Sequence, residues 1–281
     1  MCAHKVQAPR WDQQSLGVIG AGVMGCALIN GIRQAGLLDD TQLWTAVKSS
    51  RSQERVAEAT GIRTTTNVGD YIADTTLLLL CVKPNTVETV IGQLKAGGLK
   101  PDTVIISIAA GVSIKKIQDA LGSDYNNPVL RVMTNTPSLI GQGMSVVSPS
   151  AEATDTHVAM AKAIFNAVGL CISLDEQHLD AVTGLSGAGP AYFYLMMEAM
   201  ADGGVNVGLP RDVALTLVAQ TALGAAMMVK QSSRHPAALR DDVTTPAGCT
   251  IAGLLTMEDG KIRSVLARAV EEATQIASKL G

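Results

Sequence analysis

A short apolar stretch, Leu16 to Ile19, runs straight into GAGVMG, residues 20 to 25. The spacing is G-x-G-x-x-G with Gly20, Gly22 and Gly25. After a strand and before a helix, each glycine has its own reason. The first makes the tight turn, the second lets backbone approach a pyrophosphate, and the third lets helix and strand pack closely. The helix is expected from about Val23 to Ala35, stopped by Gly36. Its free N–H groups and positive dipole end would face the pyrophosphate. A Gly-rich turn in another α/β domain would show the same spacing.

The chain continues as alternating strands and helices. A second strand is expected over Gln42 to Val47. An NAD-type fold places an acid at its end for the ribose 2′-hydroxyl. Here Lys48, Ser49, Ser50 and Arg51 follow instead. Two cations and two hydroxyls suit a 2′-phosphate, so NADPH is preferred and NADH is the second choice; a solvated helix start is the bland alternative. Asp39 and Asp40 stand at the wrong end of the strand. Leu77 to Val82 is a continuous apolar run, the pattern of a parallel strand covered on both faces. It ends in Lys83 and Pro84, and ligands of open α/β sheets lie at the carboxyl ends of strands. Val82, Lys83 and Pro84 should therefore line the crevice. Val104 to Ile108 ends in Ala109, Ala110 and Gly111, small enough to leave room for a nicotinamide ring. Ser113 reads as a helix N-cap. Val129 to Met133 leads into the polar loop Thr134 to Pro137. Strands near 145–147 and 171–174, with a helix near 152–168 between them, complete a doubly wound Rossmann-type domain, residues 1–174, of which 1–15 form an N-terminal extension.

From about residue 175 to 281 the pattern is helical. Helices are expected near 176–185, 190–204, 210–231, 236–241, 250–257 and 260–279. Within LDAVTGLSGAGPAY, residues 179–192, a Gly/Ser loop (Gly184, Ser186, Gly187, Gly189) is expected before a helix opened by Pro190. Hydrophobic residues make up 47% of the chain but aromatics only 3% and charges 17%, so Ala, Val, Leu, Ile and Met must fill the core, a combination that suggests closely packed helices and a large subunit interface. Val213 to Val229 carries no charge. It includes Thr216, Gln220, Thr221 and Gly224, and is read as a helix buried between subunits, not a membrane span. A net charge of −3 gives no case for nucleic acid. Five scattered cysteines without C-x-x-C spacing argue against a metal site or a disulfide framework and for reduced thiols in the cytoplasm. The first fifteen residues lack the apolar core of a secretory signal.

IGAGVMG, CVKP, SIAAGVS, RVMTNTPS, DAVTGLSGAGPAY, ADGGVNVGLPR and HPAALRDDVTTPAGCTIAGL occur in this order, and together the chain resembles the pyrroline-5-carboxylate reductase family from about residue 16 to 281. The resemblance implies reduction of 1-pyrroline-5-carboxylate to proline by NADPH or NADH, on a Rossmann domain followed by an all-α dimerisation domain. It also implies a homodimer through the helical domain, with assembly up to decamers. Ile19, Gly20, Ala21, Gly22, Val23 and Met24 would hold the pyrophosphate. Lys48, Ser49, Ser50 and Arg51 would face the adenosine ribose or its phosphate, with Asn67 also on the adenosine side. Val82, Lys83 and Pro84 would flank the nicotinamide half, near Ala109 and Ala110. Thr245, Gly248, Cys249 and Thr250 would bind the substrate carboxylate from a partner subunit, and Thr183 would hydrogen-bond the substrate nitrogen. The chain departs from the family pattern at Ala247, where glycine is common, at Cys249, larger than usual, and at Ser233, where some relatives carry Glu.

The residues allow the same chemistry without the family. Thr244 to Thr250 is a small-residue loop opening a helix, which suits an anion, although an ordinary capped helix start would look alike. Hydride transfer to a protonated imine needs placement more than acid–base power, so the lack of a His/Asp pair is no obstacle. A β-hydroxyacid-type dehydrogenase would need a lysine on the helix after the junction, and Ala188 to Ala201 has none. A nucleotide sensor without turnover is the alternative from a different class.

Overall fold

The computed structural model describes residues 9–279. The chain divides into two compact units: one runs to Gly187 and takes in the chain from Ala273, and the other is Ala188–Glu272.

The first unit is built on one eight-stranded sheet in the order β3-β2-β1-β4-β5-β6-β7-β8. Its strands are β1 (Leu16–Ile19), β2 (Leu43–Ala46), β3 (Arg63–Thr65), β4 (Leu77–Leu80), β5 (Val104–Ser107), β6 (Val129–Met133), β7 (Gly143–Pro149) and β8 (Gly169–Ser173). The first six are mutually parallel in the 3-2-1-4-5-6 order of a dinucleotide-binding sheet. β7 reverses against β6, and β8 runs with β7. The helices α1 (Val23–Gln34), α2 (Ser50–Thr60), α3 (Val87–Ala96), α4 (Ile114–Leu121) and α5 (Asp155–Asn166) pack around it. The run Leu77 to Leu80 shows why both faces are covered. Leu77 and Leu79 join the core with Leu28, Ile32 and Phe165 on one side. Leu78 and Leu80 join Ile91, Leu94 and Ile117 on the other. All four leucines are fully buried, and each such burial is worth roughly 1.5–3 kcal/mol. β4 stops at Leu80, two residues before the expected end, although the Cys81 N–H still donates to the Ile19 carbonyl at 2.8 Å.

Past β8 the first unit continues through α6 (Leu179–Val182) and a π-helical turn, Thr183–Gly187. The Gly/Ser segment expected as a loop is therefore helical. Gly184 is buried within it, and at Gly187 a Cβ would lie 2.3 Å from the Met133 methyl carbon, so a longer residue there would need room.

The second unit is helical: α7 (Gly189–Asn206), α8 (Arg211–Ser232), α9 (Pro236–Asp242), α10 (Cys249–Asp259) and the start of α11 (Ile262–Ala277). Asp212 and Lys230 stand in the first and last turns of α8, as the helix dipole favours. By length and composition α8 could cross a membrane. Its apolar side chains are open: Leu217 and Leu223 are more than half exposed, as are Phe193 and Leu195 on α7.

His157 closes a capping box at the start of α5. Its Nδ1 accepts the Thr154 N–H at 3.2 Å, while Thr154 Oγ1 accepts the His157 N–H at 3.3 Å. Burial pushes the imidazole below its ordinary value. The neutral ring is thus favoured in the folded state, so the stabilisation is complete above the ordinary value, about 6.5, and is lost as pH falls. Between about pH 7 and 5 the thermal midpoint is expected to fall less in His157→Gln, which caps without titrating, than in the parent chain; equal falls in a melting series would remove His157 from the account.

Candidate functional site

Parallel pairing sets the strand ends level. Ile19 is in register with Ala46 and with Leu80, Leu80 with Ser107, and Ser107 with Arg131. The segments that leave β1 to β6 therefore emerge at one edge of the sheet. The strand order reverses between β1 and β4, the place where open α/β sheets take their ligands.

At that point the three fingerprint glycines have three surroundings. A Cβ on Gly20 would lie 2.7 Å from the Cys81 carbonyl oxygen, and φ there is +93°. A Cβ on Gly25 would lie 2.3 Å from the Gly20 carbonyl oxygen, so α1 rests directly on the turn. A Cβ on Gly22 would meet nothing within 4 Å. That open space lies at the N-cap of α1, which no side chain caps. A helix start without a side-chain cap leaves first-turn N–H groups able to take an anion. Val23 is 70% exposed, whereas Ile19 and Ala21 are buried and Met24 is half-buried. Cys26 Sγ donates to the Ala21 carbonyl at 3.4 Å. Burial pushes the Cys26 and Cys81 thiols upward, which makes them inert packing groups.

Lys48, Ser49, Ser50 and Arg51 are all exposed at the end of β2. Ser49 caps α2, with its Oγ accepting the Ser52 N–H at 3.3 Å. Among the described residues neither Lys48 nor Arg51 is in an ion pair, so both charges face solvent. Asn67 follows β3, but its amide is engaged locally: Oδ1 accepts the Gly69 N–H at 3.1 Å and Nδ2 donates to Asp70 at 3.0 Å. After β4, Val82 is half-buried and Lys83 and Pro84 are exposed. After β5, the Ala109 side chain is in the core and Ala110 is half-buried. Ala109 can thus offer the edge only its backbone.

Thr183 begins the π turn. Its Oγ1 donates to the Leu179 carbonyl at 2.8 Å, so the hydroxyl proton is committed and the lone pairs remain. In the second unit, Thr245 to Thr250 lead into α10. Gly248 is the N-cap, with its N–H on the Thr245 carbonyl at 3.1 Å, and no side chain caps the helix. Cys249 is exposed. Ala247, the departure from glycine, is held at φ +56°. Among the described residues no group of three His, Cys, Asp or Glu side chains could hold a metal ion.

Two features escaped the sequence reading. Arg131 on β6 is buried and paired with Glu176 at 3.2 Å and Asp180 at 3.4 Å, while Glu176 also accepts the Ile114 N–H at the start of α4. Asn135, in the polar loop after β6, donates to the Ser186 carbonyl at 3.1 Å and accepts the Met144 N–H at 2.8 Å. Loop polarity was visible in TNTP. The partner, 51 residues further on, was not.

Over 265 residues, 94% of this chain and 95% of the relative, the sequence is 40% identical to a pyrroline-5-carboxylate reductase of Arabidopsis thaliana. The chain belongs to the pyrroline-5-carboxylate reductase family. Its residues 176–280 match the family described as pyrroline-5-carboxylate reductase dimerisation, and residues 15–111 match NADP oxidoreductase, coenzyme F420-dependent. Among solved structures, a pyrroline-5-carboxylate reductase of Coxiella burnetii superposes with a TM-score of 0.88 at 29% identity, covering 96% of this chain and 99% of that one. The Plasmodium falciparum pyrroline carboxylate reductase, solved with NADP bound, has a TM-score of 0.84 at 30% identity, covering 95% and 98%.

The glycine geometry separates binding from folding. Gly22→Val should fold with a thermal midpoint close to the parent's, because its side chain enters open space. Gly25→Val should lower the midpoint by many degrees, because it drives α1 off the turn. Equal melting losses would contradict these surroundings.

Proposed function

We propose that this chain reduces 1-pyrroline-5-carboxylate to L-proline, the last step of proline biosynthesis, with NADPH as the preferred reductant and NADH accepted. The observation that carries the reading is the similarity to named reductases along almost the whole chain, through both the glycine loop and the helical half. NADPH, when bound, supplies the hydride that goes to the imine carbon.

The residues then divide the work. Ile19 to Met24 hold the pyrophosphate, supported by the open space at Gly22 and the uncapped start of α1. Lys48 and Arg51, with Ser49 and Ser50, take the 2′-phosphate, supported by exposed cations that make no ion pair among the described residues. Asn67 lies toward the adenosine, and Val82, Lys83, Pro84, Ala109 and Ala110 toward the nicotinamide, as expected for strand ends at a switch point. Thr183 faces the substrate nitrogen. With its own proton on Leu179, it serves as acceptor for the N–H of the protonated imine, which is the better electrophile. Thr245, Gly248, Cys249 and Thr250 offer N–H groups and hydroxyls to the carboxylate, from a second copy of the chain.

That second copy follows from the apolar faces of α7 and α8, which are open in one chain and need cover. The homodimer forms through the helical domain, residues 175–281, a boundary supported by the dimerisation match beginning at residue 176. No membrane is required, and the decamer is the larger assembly to which the family resemblance points. Four free cysteines among the described residues fit a reducing cytoplasm; recovery of the chain from an oxidising compartment on cell fractionation would count against that location.

Turnover is tested by NADPH oxidation with pyrroline-5-carboxylate, with proline measured as product. No proline from a protein that still binds NADPH overturns the reading. Replacing Lys48 and Arg51 together by Glu should weaken NADPH by about tenfold or more and leave NADH within about twofold, since one screened charge contact is worth roughly 1 kcal/mol. An unchanged preference displaces the 2′-phosphate from this turn. Sedimentation without detergent should give a dimer or a multiple of it; a monomer, or a need for detergent, removes the subunit interface.

A further inference from the structure

We infer that Asn135 is a positioning residue for this reaction: it pins the π turn carrying Thr183 to the carboxyl end of β6. The inference rests on the role proposed above for Thr183.

At the Ser186 carbonyl the regular helical pattern of donors breaks. In a helix the Ser186 carbonyl would accept the N–H four residues on, but residue 190 is proline and has none. The N–H five residues on, at Ala191, is donated to the Ala188 carbonyl at 3.0 Å. A half-buried carbonyl left in this way costs free energy unless a side chain or water serves it. Asn135 Nδ2 does so at 3.1 Å, with the Ser186 hydroxyl 3.5 Å away.

The other end of the same amide is fixed too. Asn135 Oδ1 accepts the Met144 N–H of β7 at 2.8 Å. An N–H must face the amide oxygen and a carbonyl must face the amide nitrogen, so the two contacts leave one orientation. Asn135 stands at the N-cap of a short 3-10 segment, Thr136–Ile140, yet makes no capping bond there. An asparagine at such a position ordinarily turns back on its own backbone. This one reaches across to the turn.

Van der Waals contact locks the same place. Gly187, next to Ser186, rests on Met133 at the end of β6: a Cβ there would lie 2.3 Å from the methionine methyl carbon. Upstream, Asp180 is tied to Arg131 of the same strand. The turn is therefore held at both ends by β6, with Thr183 between the anchors. A shift of the Ser186 end changes the backbone that orients the Thr183 hydroxyl toward Leu179, and with it the acceptor presented to the imine.

The test compares the parent chain with Asn135→Asp, which keeps the shape and the acceptor for Met144 but loses the donor. Two readouts are taken. In hydrogen exchange of the ligand-free protein, amides 183–189 should exchange at least about tenfold faster in the variant, with β1 and β4 unchanged. In steady state, kcat should fall by about ten- to a hundredfold, the scale of a small misplacement, with the NADPH dissociation constant within about twofold. As pH falls, the ratio of variant to parent kcat should rise, because a protonated carboxyl regains an O–H donor for Ser186. A merely structural role would not move that ratio. If Asn135→Asp does not fold, Asn135→Ser takes its place for exchange and for kcat. Unchanged exchange at 183–189, or an unchanged kcat while the parent turns over, overturns the inference. A parent that makes no proline overturns the proposed function instead, and the exchange result still decides whether Asn135 holds the turn.

Discussion

Burial of the sheet on both faces is the constraint from which the rest follows. Leu77 to Leu80 send alternate side chains into two separate cores, so helices must lie on each side, and the connections between β1 and β6 must be crossovers. Parallel strands then end together at one edge. The glycine loop, the Lys48–Arg51 turn, the Lys83–Pro84 turn and the Asn135 loop share that edge because the apolar pattern leaves no other arrangement. The chemistry of the edge belongs to the loops, but its existence belongs to the leucines.

The two halves of the chain satisfy their apolar residues differently. In the first unit nearly every large aliphatic side chain on β1, β2 and β4 is buried within one chain. In the second, α8 buries only Ala214. A helix of that composition is complete only against something else, and the family's dimerisation match covers this very half.

Most of the strands and helices were legible from periodicity, because burial acts on runs of residues. The second-half helices were expected within a few residues of where they lie, with proline and glycine marking their ends. The glycine fingerprint was legible because three backbone contacts fix three positions. What was not legible depended on pairs distant in sequence. The turn at Thr183–Gly187 looked like a loop because glycine and serine disfavour an ordinary helix. Its contacts with Met133 and Asn135 come from more than fifty residues away and leave no mark in the local sequence. Arg131 passed unmarked within the strand Val129 to Met133. Its meaning came from Glu176 and Asp180, more than forty residues away. Ala109 was placed by the smallness of its side chain, which turns out to serve the core. Thr183 came from family resemblance, since a hydroxyl at the end of a short helix has no spacing signature, whereas the 244–250 loop was legible as small residues opening a helix.

Ala247 bears on how the chain ahead of α10 is ordered. An alanine at φ +56° carries roughly 1–2 kcal/mol of left-handed strain that glycine would not. Glycine in its place would bring more freedom to the unfolded chain, about 0.5–1 kcal/mol in the opposite sense. The second effect offsets about half of the first in stability, and the two act on different states of the chain. A loop wound with alanine has fewer shapes open to it than one wound with glycine, so more of its ordering is completed during folding. What the substitution changes is when the loop loses its entropy.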